Sequence, residues 1–301
     1  MGNLMGHVLP GLGFFLIGLW HLLNQVKLHA SHPKTYFSLP WFPSPRIKYL
    51  ELYVIMAGTL VSISMELFVG PARHTPFDPD GTIPFNHLRN LEHAGISATI
   101  LLYAVFTLVL DRASPPAKHG LTHFVGAVAF GQELLLFHLH STDHMGVEGQ
   151  YHWLLQLAIF VSFSATILGI PFPSSFLTSL ARSFGIMLQG GWMAAMGILL
   201  WTPGLIPKGC FINNEDGHHI VRCRTVEAME RAKSLANIQF SWYVNAVTIL
   251  VLSIYLVCVR KAEEDYERLS KECDEDQKEL IQRNVEAQIN PYEKHAKTSN
   301  Y

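Results

Sequence analysis

Charge is scarce in this chain. Only 15% of the residues are Asp, Glu, Lys or Arg, against about 25% in soluble domains, and much of that charge crowds the C-terminal end. The formal net charge is -2, so no basic field marks a nucleic-acid partner. Cysteine is scarce too: four residues in 301 exclude a disulfide scaffold. No phosphate-cradling glycine loop, nucleophile elbow or nucleotide motif occurs. What remains is apolar, at 49% of the chain, together with an unusual sixteen histidines.

The apolar residues fall into runs close to the length of about 20 that a bilayer requires. Seven are centred on Val8–Leu23, Leu50–Val69, Ala94–Leu110, Leu121–Leu139, Trp153–Ile170, Phe184–Trp201 and Trp242–Val259. None alternates with period two, so they predict helices rather than barrel strands. The second and third runs are broken by small or polar residues, which leaves a count of six open. No Lys or Arg precedes Lys27, so the first run reads as a retained span rather than a leader. The fold expected is all-α: a polytopic transmembrane bundle of about seven helices over residues 1–260, followed by a charged helical or disordered tail over 261–301.

Between the runs, the segment around Pro33, Pro40, Pro43 and Pro45, with Trp41 and Phe42, reads as an interfacial hinge. The longest loop runs from Thr202 to Gln239, and its second half, Thr225–Ala236, predicts a surface helix. Lys and Arg count in favour of the C-terminal face over the N-terminal one, where most basic residues sit in that longest loop. This predicts a cytosolic C-terminus. Cys210 and Cys223 then face the oxidising side, where they could pair; two unrelated loop cysteines fit equally well. Glycines and alanines from Gly185 to Gly197 suit close helix contact.

Ionisable residues within apolar runs are the natural functional candidates. With seven spans, His7, Glu66, Glu92, His93, Glu133, His138, His140, Asp143, His144 and His152 cluster toward the N-terminal face. His140 and His144 are four apart and share a helix face; Glu133 lies two turns below. With His93, His138 or His152 they compose a metal-ligand set suited to zinc, iron or copper. The same groups also read as helix caps and polar glue between helices, or as a proton or substrate path centred on Glu133. Haem is a further option, from His7 with His21 and His123 with His138, although fifteen residues miss a common face by about 60°. The opposite face holds His21, Glu51, His119 and His123 and looks sparser.

The blocks MGNLMGHVLPGLGFFLIGLWHL, FGQELLLFHLHSTDHMGVEGQYHWLLQ and ARSFGIMLQGGWMAAMG resemble the transmembrane protein 45 family, and PFDPDGTIP and IPKGCFINNEDGHHIVRCR are similar to its plant branch. The resemblance covers residues 1 to about 261. It implies a multi-pass protein of about seven helices, Golgi, endosomal or plasma-membrane residence, stress or virus-response roles, and no established catalytic activity. It assigns no role to His138, His140 or His152. Protein partners would meet the loops and tail, where Tyr266 and Leu269 fit a short sorting pattern.

Overall fold

A computed structural model describes residues 4–70, 77–139, 146–215 and 218–296. Among them, seven helices are long and apolar enough to cross a membrane. They are α1 (Leu4–Ser31), α2 (Leu50–Ser64, continued by one π turn over Met65–Val69), α3 (Phe85–Ala113), α4 (Lys118–Leu139), α5 (Val147–Leu168), α6 (Phe176–Trp201) and α7 (Val226–Ala296). Strands β1 (Cys210–Glu215) and β2 (His218–Cys223) pair antiparallel between α6 and α7. The chain divides into two compact units, Met1–Ser253 and Ile254–Tyr301.

In the first unit the helices are arranged as an open ring. α1 packs on α6, α6 on α5, α5 on α4, α4 on α3, and α3 on α2. α1 and α2 meet through few residues. The α1–α6 seam is the tightest, and glycine makes it so. A Cβ on Gly11 would stand 2.6 Å from the Ala194 backbone nitrogen, and one on Gly18 2.7 Å from that of Met187. Small residues let two backbones approach this closely where lipid offers no hydrophobic drive. The core around Trp192, Tyr151, Leu155 and Met196 is closed by Phe240 and Tyr243 of α7. The Tyr243 hydroxyl donates to the Met187 carbonyl at 2.9 Å.

The surface helix expected over Thr225–Ala236 differs in one respect. It is the first part of α7, and it runs on without a break into the seventh span. Ala228, Ala232 and Ala236 recur every four residues and are all buried, so the stretch packs one face inward, while Glu227, Glu230, Arg231 and Ser234 stay exposed as on a surface helix. Ahead of it, Cys210 and Cys223 sit opposite each other on β1 and β2 and are joined by a disulfide.

The second unit is helical. Its exposed face carries short-range ion pairs, Arg260–Glu264, Asp265–Arg268 and Glu279–Arg283. Such solvated pairs contribute only a few tenths of a kcal/mol each, roughly.

Candidate functional site

The described polar residues near the N-terminal face make several local contacts, among them His7 edge-on to His152 with ring centroids 5.9 Å apart. His93 Nδ1 stands 3.6 Å from Glu66, which lies on the π turn that ends α2. His138 is exposed, and its Nδ1 faces Gln156 Oε1 at 3.3 Å. His152 turns Nδ1 to the Glu148 carbonyl at 2.9 Å, while His7 stacks on Trp201 at 4.6 Å. Glu92 is half-buried. Glu133 is buried within its span and faces an amide: Gln189 Nε2 donates to both its oxygens at 3.4 Å. His140, Asp143 and His144 lie outside the described residues. Among the described residues, no group of three or more His, Cys, Asp or Glu could hold a metal ion. Of the expected ligand set, the described members His93, His138, His152 and Glu133 each face a different neighbour. The haem pairings meet the same obstacle: His21 is bonded to Glu51 and His123 to Arg182.

The convergence is at the other end. His21 Nε2 and Glu51 Oε1 are 2.7 Å apart, both buried. The second Glu51 oxygen accepts from Trp20 Nε1 at 3.0 Å and from the Phe42 backbone N–H at 2.9 Å. From α6, Arg182 donates to His123 Nε2 at 2.5 Å and to the Leu39 carbonyl at 2.7 Å. His123 Nδ1 faces the His119 carbonyl at 2.9 Å, so the ring is the neutral tautomer that carries its proton on Nδ1 and accepts on Nε2. Gln25 also donates to the Leu39 carbonyl, at 2.9 Å, and accepts from Tyr36. Tyr103 donates to the Pro40 carbonyl at 3.2 Å.

These contacts share one target. The irregular segment from Tyr36 to Phe42 receives side chains from α1, α2, α3 and α6 through the backbone groups of Leu39, Pro40 and Phe42. Tyr36, Ser38, Trp41 and Phe42 are buried, and Ser38 N–H donates to the Pro173 carbonyl at 2.7 Å. Burial pushes the Tyr36 phenol above its usual range. Arg182 is six residues into α6, about 9 Å along its axis. The segment is thus a plug of non-helical backbone packed among α1, α2, α3 and α6. At membrane depth such backbone persists only where protein buries it or where it lines a polar interior.

Reading the sequence alone missed Arg182, Gln25, Tyr36, Trp20, Tyr103 and Gln189. Arg182 looked like a loop charge because the sixth apolar run seems to start at Phe184. The usable signal was Ser175, whose side chain accepts from the Thr178 N–H at 3.3 Å and starts α6 eight residues earlier.

Residues 119–256 match the model of a family of unknown function, DUF716. The match runs from α4 into α7. It takes in His123, Glu133, Arg182 and Gln189 and leaves out the plug.

Proposed function

We propose that this multi-pass membrane protein admits a small polar solute to the C-terminal half of its bundle, and that the Tyr36–Phe42 plug governs entry. The supporting observation is the plug: a buried, irregular segment held almost wholly by side chains whose groups a solute could replace. Non-helical backbone of this kind is tolerated at membrane depth where it lines a polar cavity. The resemblance to the transmembrane protein 45 family supports residence in Golgi, endosomal or plasma membranes, with a role in trafficking, stress or virus response. The excess of Lys and Arg on the C-terminal face supports a cytosolic tail, and a disulfide at the opposite end suits an oxidising lumen. The plug then opens toward the cytosol. Protein partners would meet the tail, where Tyr266 and Leu269 are exposed.

Cysteine labelling tests this. Ser38→Cys is placed in a background that lacks the unpaired Cys258 and Cys273. Ser38 is buried, so a static plug leaves the new thiol unreactive to a membrane-impermeant maleimide. A working plug lets it react from the cytosolic side of native membranes. No labelling, in protein that remains folded, sinks the reading.

A further inference from the structure

We infer that the solute site beneath the plug takes an anion, a carboxylate or phosphate group, with Arg182 as its principal partner. This rests on the reading of the plug as a gate, and adds the class of ligand.

The inference starts from the partners Arg182 has. A guanidinium stays charged when buried, and buried charges are normally paired. Arg182 is 4% exposed, yet both groups it touches among the described residues, His123 Nε2 and the Leu39 carbonyl, are uncharged. The carboxylate in its electrostatic neighbourhood is Glu51. Glu51 spends its oxygens on Trp20, His21 and the Phe42 N–H and makes no ion pair with Arg182. Arg182 Nε is left without a hydrogen bond.

Two further bare groups belong to the same cluster. Thr107 Oγ1 and His21 Nδ1 have no hydrogen-bond partner among the described residues, although Thr107 is 1% and His21 3% exposed. Thr107 lies near the Tyr103 hydroxyl without meeting hydrogen-bond geometry, and Tyr103 lies in the field of both Arg182 and Glu51. His21 lies in the field of His123. So two further unsatisfied polar atoms, from α1 and α3, accompany the bare Nε of a guanidinium that has no contacting counter-ion among the described residues. A guanidinium, a hydroxyl and, in its imidazolium form, a histidine N–H are the donors that bind an oxyanion. The shared chemistry fits a free carboxylate or phosphate. It equally fits an anionic lipid headgroup, and the two sources separate by experiment.

Full-length protein in detergent is unfolded thermally with inorganic phosphate or acetate, against sodium chloride of equal ionic strength. A parallel series uses short-chain phosphatidic acid against phosphatidylcholine. The expected result is a saturable rise in Tm of wild type. A rise with phosphate or acetate assigns a free anion, and a rise with phosphatidic acid alone assigns a headgroup. Arg182→Gln should abolish it. Since that variant could fail to fold, Thr107→Val decides. Valine matches the shape of threonine and removes only the bare hydroxyl, so Tm without anion should hold or rise while apparent affinity falls about tenfold. No stabilisation of wild type by any of these anions overturns the inference. So does a Thr107→Val protein that binds as tightly as wild type. If the introduced thiol of the Ser38→Cys protein labels and no anion binds, the gate stands and the anion is wrong.

Discussion

The two ends of the bundle use similar residues to different effect. The N-terminal end has more histidines, and among the described residues they contact mainly other side chains: His93 meets Glu66, His138 meets Gln156, and His7 meets Trp201 and His152. The C-terminal end has fewer, but Glu51, Arg182, Gln25 and Tyr103 all reach one short backbone segment. Density of ionisable residues along a chain therefore says little about a site. What matters is whether several helices aim at the same target.

The largest effect that separates the two ends should come from their carboxylates. Glu51→Ala strands His21, Trp20 and the Phe42 N–H in the interior, and breaking a buried pair in this way costs roughly 3–5 kcal/mol. Glu66→Ala breaks a longer contact, 3.6 Å, to a His93 that is partly exposed, and should cost less, about 1–2 kcal/mol. Chemical denaturation in mixed micelles would compare them, and equal losses would erase the distinction.

Next in size is the disulfide. Cys210→Ser with Cys223→Ser opens a loop with a sequence separation of 13, for which loop entropy suggests about 3 kcal/mol. Thermal unfolding should show the loss, and non-reducing electrophoresis should show altered mobility. On this account the hairpin stabilises the N-terminal end more than its histidines do, so a loss smaller than that of His93→Ala would reverse that ranking.

Glu133→Gln should raise stability by about 1 kcal/mol, because it keeps the hydrogen bond with Gln189 and removes a buried ionisable group that has no charged partner among the described residues. A clear loss of stability would reveal a cation that Glu133 holds. The smallest effect concerns metal. His140→Ala with His144→Ala should leave the zinc, iron and copper content of purified protein unchanged within error by elemental mass spectrometry. Near-stoichiometric metal lost in that double variant would move the functional centre to the N-terminal end.

The seven spans were legible because bilayer thickness fixes the length of an apolar run and backbone satisfaction demands helix. Their ends were not. α1 continues past Leu23 to Ser31, and α6 begins at Phe176 rather than Phe184. Those polar extensions carry Gln25 and Arg182, so the connected site lay just outside the runs that hydropathy picks out. The plug was legible only as a proline-rich hinge around Trp41 and Phe42. Its partners are separated from it by up to 143 residues, and no local pattern reports such a contact. The histidine layer was legible as composition, but its pairing depends on helix rotation, which His138 shows by facing Gln156 of α5.

A pair of double-mutant cycles tests the central claim most directly. Glu51→Gln and His123→Gln do not touch each other; they are linked through the Phe42 N–H, the plug and Arg182. If the C-terminal end is one connected unit, their effects on unfolding free energy should be non-additive by about 1 kcal/mol. His93→Gln with His138→Gln at the other end should be additive within about 0.5 kcal/mol. Additivity in both cycles would contradict the account and reduce the polar core to independent contacts that merely hold helices together.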